Sequence, residues 1–437
     1  MKKSSIILFV KIVVAVILLF SFYNIVYKGF VCKQDDYIKF GFSGLDELFH
    51  KDGKVRFYYK EYVTYELNGI DQSYLFYENG SKRIVSVDEN NNITDTIIPL
   101  LFVECPVRGE DNICDTSNVE PLGLNIISAK SKIGFEVPNY NNLCNPPESR
   151  YETEEKIFAI SDVEGNFDKF VVMLKNNNVI TNSLKWNFGK GHLVLLGDFF
   201  DRGDDVTALL WLCYKLEFEA NVSGGKVHFI LGNHEQMNLQ GNTKYVDGKY
   251  LALAKKLQIP YKDLYGKNTE LGRWIRSKNA VEVINDILFV HAGISPVFVN
   301  RGEMLDTINH NTRLALCKSL EDYYDQEGNG KGDRLLAYIN SESPLWYRGY
   351  FRDHKKGIYK QAIQSDISAI CKFYEVDRIV VGHTVVDEIS SYYEGKVLNI
   401  DVLRNGEVGK NKPSALLIEK NKFYVVDELG RKFSLRF

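Results

Sequence analysis

The residues best equipped for chemistry fall in five short segments: Ser161-Asp162-Val163-Glu164-Gly165-Asn166, Gly197-Asp198-Phe199-Phe200-Asp201-Arg202-Gly203, Gly232-Asn233-His234-Glu235, His291-Ala292-Gly293 and Gly382-His383-Thr384. Asp162, Glu164 and Asp198 offer hard carboxylate oxygens, Asn233 a neutral amide oxygen, and His291 and His383 imidazole nitrogens. That mixture suits Mn, Fe or Zn better than an all-oxygen calcium cage. Two divalent ions about 3.5 to 4 Å apart, sharing a carboxylate, clamp a phosphate and lower the pKa of the water between them, so that hydroxide attacks phosphorus in line. Arg202, four residues after Asp198, carries a planar fork matched to phosphate oxygens and to the charge that grows in the transition state. His234, next to Asn233, is better placed to protonate a leaving oxygen than to hold metal, and Asp201 is the carboxylate that would orient its ring.

These segments need a scaffold that brings them together. Each follows a short apolar run, at 157–160, 193–196, 227–231, 287–290 and 379–381, rich in Ile, Val, Leu and Phe. Such runs read as buried strands, and groups just past the carboxyl ends of strands meet in one crevice of an open sheet. A lone Asp-Arg-Gly is more often a turn with a surface ion pair, and a lone His beside apolar residues is more often a core residue. Recurrence of the same position past successive strands reverses both readings. His192, His228, His50, His310 and His354 have no motif around them and receive no role. Residues 167–178 and 206–218 read as crossover helices. Residues 240–280, helical at 251–257, and 300–350 are insertions expected to overhang the crevice and shape its pocket.

A protein nucleophile has little support. The chain has no Gly-x-Ser-x-Gly elbow and no phosphate-cradling P-loop. Cys144 and Arg150 have a thiol-phosphatase spacing, but Pro146 and Pro147 between them lack the N–H donors such a cradle needs.

The Gly-Asp-x-x-Asp-Arg-Gly and Gly-Asn-His-Glu motifs resemble those of the calcineurin-like metallophosphoesterases, and within them the phosphoprotein phosphatases. Residues 271–277, 288–296 and Pro344-Leu345-Trp346-Tyr347-Arg348-Gly349 are most similar to the Shewanella-like phosphatase branch. The resemblance spans roughly residues 155–403 and implies an α/β fold, a β-sandwich flanked by helices in α/β/β/α order. It implies a first metal on Asp162, Glu164 and Asp198, and a second on Asp198, Asn233, His291 and His383. It also implies a proton-donating pair, His234 with Asp201, and a phosphate clamp, Arg202 with Arg348. Arg348 has a competing reading as an arginine stacked in an aromatic-packed loop. The family's first motif reads Asp-x-His, whereas this chain has Glu164 in the histidine position. Glutamate reaches about as far as imidazole and binds Mn or Mg readily, so two metals with a manganese preference are expected, Fe or Zn being the alternatives.

At 437 residues, 45% apolar and 25% charged, the chain is long enough for two domains. A net charge of -3 offers no basic field for a nucleic acid polymer. Residues 6–27 are apolar except for Lys11, Ser21 and Asn24, long enough to span a bilayer. Residues 1–35 are therefore expected to be a transmembrane signal-anchor that places the rest outside the cytoplasm, periplasmic in a bacterium, with a cleaved signal as the second reading. Of seven cysteines, Cys105 and Cys114 would close a small loop in an oxidising compartment. Residues 36–138 read as a small β-rich accessory domain with turn signals at 78–81 and 90–92, residues 139–154 as a linker, and 155–437 as the catalytic domain. Three functions follow: a phosphomonoesterase acting on phosphoprotein (Ser/Thr or Tyr), a hydrolase of dinucleoside polyphosphates or another small phosphoester, and an inactive membrane-tethered binding protein. Glu164 alone suggests the third, and the intact Asp201, Arg202, Asn233 and His234 weigh against it.

Overall fold

The computed structural model describes residues 29–34, 37–42, 55–59, 71–78, 81–88, 90–99, 122–128, 131–137, 145–323, 332–402, 413–435 and 437. The chain divides into two compact units, Met1–Glu66 and Leu67–Phe437. The first holds an antiparallel sheet of β1 (Gly29–Gln34), β2 (Tyr37–Phe42) and β3 (Val55–Tyr59). The predicted anchor at 6–27 lies outside the described residues, as do Cys105, Cys114 and Cys144. Among the described residues no helix is long and apolar enough to cross a membrane.

The second unit opens with an antiparallel sheet of β4 (Asp71–Glu78), β5 (Ser81–Val87) and β6 (Ile93–Pro99), followed by the hairpin β7 (Leu122–Ser128) and β8 (Ser131–Val137). At the ends of the predicted turn, Glu78 of β4 stands opposite Ser81 of β5. In the next turn the Asp88 carboxylate accepts the N–H groups of Asn90 and Asn92, each at 2.8 Å. Tyr74, Leu75 and Phe76 are buried, because β4 lies against the rest of the unit: Tyr77 N–H donates to Asn268 O at 2.6 Å.

The remaining strands form two six-stranded sheets. In chain order they are β9 (Arg150–Tyr151), β10 (Ile157–Ile160), β11 (His192–Leu196), β12 (Lys226–Ile230), β13 (Val281–Ile284), β14 (Ile287–Val290), β15 (Arg378–Val381), β16 (Ser390–Tyr392), β17 (Val397–Asn399), β18 (Ser414–Glu419), β19 (Lys422–Asp427) and β20 (Lys432–Ser434). One sheet has the order β12-β11-β10-β18-β19-β20 and the other β16-β17-β15-β14-β13-β9. Strands β10, β11 and β12 run parallel, joined by α1 (Phe167–Asn176) and α2 (Val206–Val222), and β14 runs parallel to β15. All their carboxyl ends therefore open onto loops that can meet. Residues 150–151 of the predicted linker supply the edge strand β9, which pairs parallel with β13.

The sheets pack face to face through Ile157, Ala159, Val194, Leu196 and Ile230 of one and Ile284, Phe289, Val380 and Leu398 of the other. The opposite faces are buried too, since α2 covers β12 and α6 (Leu305–Leu316) covers β13. Burial on both faces explains why the strands are continuous apolar runs rather than alternating ones. Helix α2 continues past its predicted end at 218, because Ala220 is still core and the turn comes only at Gly224, whose φ is 74°. The insertion at 240–280 contains α4 (Gly248–Leu257) and α5 (Glu270–Arg276), and α3 (Asn233–Leu239) precedes it.

Candidate active site

The loops after β10, β11 and β15 are wound tightly. Asp162, Glu164, Asp198, Asp201, Arg202 and His383 all sit in the left-handed region, with φ of 53°, 51°, 58°, 71°, 62° and 63°. A non-glycine residue there carries strain of order 1–3 kcal/mol, which persists only where the surroundings over-determine it. Here neighbouring loops lock one another: Asp162 N–H donates to Gly197 O at 3.0 Å, Glu164 N–H to Asp198 O at 2.9 Å, and Gly203 N–H to Glu164 O at 2.9 Å. Glu235, fully buried, brackets two loops by accepting the N–H groups of Asp198, Phe199 and Gly232 at 2.9, 2.8 and 2.7 Å. Gly382 is needed for close approach, since a Cβ there would run into Ser161 Oγ and Asp162 Oδ2.

These loops bring Asp162, Asp198, Asn233, His291 and His383 together. His291 Nε2 lies 3.1 Å from Asp198 Oδ2, 3.2 Å from Asn233 Oδ1 and 3.1 Å from His383 Nδ1. Its other nitrogen is held by Leu196 O at 2.8 Å. Asp162 Oδ2 accepts the His383 N–H at 3.0 Å and the Ser161 hydroxyl. Ligand atoms of Asp198, His291 and His383 all lie within 4.8 Å of one another, and so do those of Glu164, Asp198 and His234. Asp198 is common to both groups. All of these side chains are buried.

The electrostatics of so many buried groups is unbalanced. Burial holds the Asp162 carboxyl above its usual range. Burial pushes His291 down, but the carboxylates of Asp198 and Asp162 outweigh it and carry its pKa up to about 10. Burial also raises Asp198, yet His291 and His234 draw it well below the usual carboxylate range, while burial, Arg348 and His291 hold His383 far below the histidine range. One N–H on His291 Nε2 cannot satisfy a carboxylate, an amide oxygen and a second imidazole nitrogen at once. A divalent cation can, so the donor set fits metal.

His234 stands beside this group. Its Nδ1 is 2.5 Å from Asp201 Oδ2, its Nε2 is 3.8 Å from Asp198 Oδ2, and its backbone N–H donates to Asp198 Oδ1 at 2.9 Å. Burial lowers its pKa, but Asp198 and Asp201 raise it more, so the net shift is upward. Arg202 and Glu164, assigned different tasks from the sequence, are ion-paired with each other. The Arg202 guanidinium also lies 5.3 Å from the Tyr245 ring centroid, and the side chain is 40% exposed, within reach of a ligand. Arg348 points at the ligand group, its Nη2 3.4 Å from both His383 Nδ1 and His383 O. The aromatic packing foreseen around it is made instead by Tyr347 on Tyr350 and on Tyr359, with centroids 5.6 and 4.7 Å apart.

Several contributors had no assignment from sequence. Glu235 and Ser161 sit inside the motifs, and their position was the only signal for them. Trp346 O accepts from His383 Nε2 at 3.2 Å, and Asn238 touches Asp201. His192 and His228, left without a role, form a buried relay: His192 Nδ1 to His228 Nε2 at 2.8 Å, and His228 Nδ1 to Glu282 Oε2 at 2.6 Å. His192 begins β11 whereas Asp198 follows its end, so this bridge between sheets lies away from the ligand group.

Residues 155–387 match the family model described as calcineurin-like phosphoesterase. Shewanella-like protein phosphatase 1 of Plasmodium berghei is 29% identical over 343 residues, 76% of this chain and 87% of that one. Shewanella-like protein phosphatase 2 of Arabidopsis thaliana is 26% identical over 63% of this chain and 78% of its own length. The crystal structure of a cold-active protein-tyrosine phosphatase from a psychrophilic Shewanella superposes with a TM-score of 0.68 at 30% identity, covering 84% of this chain and all of that one.

Proposed function

Since the chain belongs to the calcineurin-like phosphoesterase family, and is thereby a phosphoester hydrolase, we propose that it is a phosphoprotein phosphatase working with two divalent ions, Mn2+ by preference. Asp162, Glu164 and Asp198 would hold one ion, and Asp198, Asn233, His291 and His383 the other. When bound, such ions polarise the phosphate and lower the pKa of water so that it attacks phosphorus. The chain's own groups do the rest. Arg202 and Arg348 take the phosphate oxygens, Arg348 from a half-buried position where the lower local dielectric strengthens its attraction for an anion. Asp201 accepts a hydrogen bond from the Nδ1–H of His234, which leaves the protonated Nε2 facing the site to protonate the departing oxygen.

The observation that carries this reading is the His234–Asp201 pair at 2.5 Å set against the group of Asp198, His291 and His383. That pairing also argues against an inactive binding protein, for which a buried and aligned acid pair has no use. Relatives named as protein phosphatases support a protein substrate over a dinucleotide. The test is an assay of phosphotyrosyl and phosphoseryl peptides beside a dinucleoside polyphosphate panel with Mn2+ present. Turnover of the peptides is expected, and preference for the dinucleotides would overturn the reading. The apolar stretch at 6–27 supports a membrane anchor with the catalytic domain outside the cytoplasm. Carbonate-resistant membrane association, with protease access from outside, is the expected result. Recovery in the soluble cytoplasmic fraction would remove it.

A further inference from the structure

We propose that Asn238 and Tyr261 are positioning residues for proton donation, acting through Asp201 on His234. The inference rests on the reading above, in which His234 protonates the leaving group. The Asp201 carboxylate has two oxygens to satisfy. Oδ2 takes the His234 ring nitrogen at 2.5 Å, and Oδ1 accepts Asn238 Nδ2 at 2.9 Å. Asn238 Nδ2 also donates to His234 O at 2.8 Å, and Asn238 Oδ1 accepts the Tyr261 hydroxyl at 2.5 Å. A continuous line of polar contacts therefore runs from Tyr261 through Asn238 and Asp201 to His234.

The geometry leaves this line little freedom. Asn238 lies four residues after His234 in α3, so the two share one helix face. Its amide has both acceptors on one side and a phenol on the other, and only one orientation of the amide satisfies all three. All four side chains are buried, with Asn238 0% and Tyr261 8% exposed, so water does not substitute for a lost partner. Asp201 itself sits at a φ of 71°, a strained backbone position that needs outside contacts to hold its carboxylate in place.

Tyr261 comes from the insertion at 240–280 and is itself anchored. It opens the 3-10 turn Tyr261–Tyr265, and the Tyr265 hydroxyl contacts Thr207 Oγ1 at 3.1 Å. Thr207 Oγ1 in turn contacts the Tyr74 hydroxyl of β4 at 2.8 Å, and Tyr74 donates to Asp71 Oδ2 at 2.8 Å. The insertion and the β4-β5-β6 sheet thus brace the acid from behind. Outer-shell partners that orient metal ligands are worth about 10- to 100-fold in other sites, which sets the scale for partners that orient a proton donor.

A general acid matters most for a poor leaving group, and little for one that departs as a stable anion. The test compares phenyl phosphate with 4-nitrophenyl phosphate in the metal-loaded full chain carrying Tyr261→Phe or Asn238→Ala. Turnover of phenyl phosphate is expected to fall about 10- to 100-fold and that of 4-nitrophenyl phosphate about threefold or less, with metal content unchanged. Tyr261→Phe removes one hydroxyl only and decides the matter should Asn238→Ala fail to fold. Equal falls for both substrates would make the two residues merely structural and overturn the inference. So would unchanged turnover of both, where His234→Ala does steepen the leaving-group dependence. If His234→Ala produces no steepening, it is the acid role of His234 that fails instead.

Discussion

Glu235→Ala is expected to unhinge two ligand loops at once. The Glu235 carboxylate is fully buried and takes three backbone N–H groups, from Asp198, Phe199 and Gly232, at 2.7 to 2.9 Å. Alanine would leave three buried donors without partners, at about 1–3 kcal/mol each, or about 3–9 kcal/mol together. Burial holds the Glu235 carboxyl above its usual range, so removing that desolvated acid returns part of the loss. A net destabilisation of about 3–6 kcal/mol remains, a large share of the roughly 5–15 kcal/mol that holds a folded protein together. Urea unfolding of the metal-free chain should show a lower midpoint at unchanged slope. Metal binding should weaken in parallel, because the same three bonds set the backbone of Asp198 and the turn into Asn233. Glu235→Gln keeps one acceptor and should fall between parent and alanine. An alanine variant within about 1 kcal/mol of the parent would show that the loops hold their ligands without this bracket.

Arg348→Ala should lower kcat/KM for a phosphopeptide about 10- to 150-fold while sparing metal content, since a hydrogen bond to a charged group is worth about 1.5–3 kcal/mol. An unchanged kcat/KM would take Arg348 out of the clamp. Glu164→His should move the metal content of the purified protein from manganese towards zinc or iron, measured by elemental analysis. Stoichiometric zinc in the parent, with no response to added manganese, would end the manganese preference. Burial, helped by His228 and Lys226, holds His192 down at about 4, below the value of about 6.5 it takes when unfolded. Between those values the unfolded chain binds the extra proton, so stability should fall as pH drops through that window and stay level above it. In melting experiments at pH 7 and pH 5, His192→Gln should lose less than the parent. An equal loss would clear His192 of the effect.

What could be read from the chain was local. Asp162, Asp198, Asn233, His291 and His383 announce themselves because each has a ligating side chain directly after a buried apolar run, and both signals lie within a few residues. Strand positions were legible for the same reason. The hairpin of β4 and β5 follows from its turn residues. What could not be read depended on which distant residues the fold sets side by side. Glu164 faces Arg202, His228 faces Glu282 across the sandwich, and Tyr261 reaches Asn238 from a stretch of the insertion that carries no motif. Side-chain type and spacing along one strand or helix determine which groups can hold metal or carry a proton. Only strand order, register and the strained loops between them decide which of those groups meet, because a hydrogen bond tolerates a few tenths of an ångström and nothing in a linear pattern carries that distance.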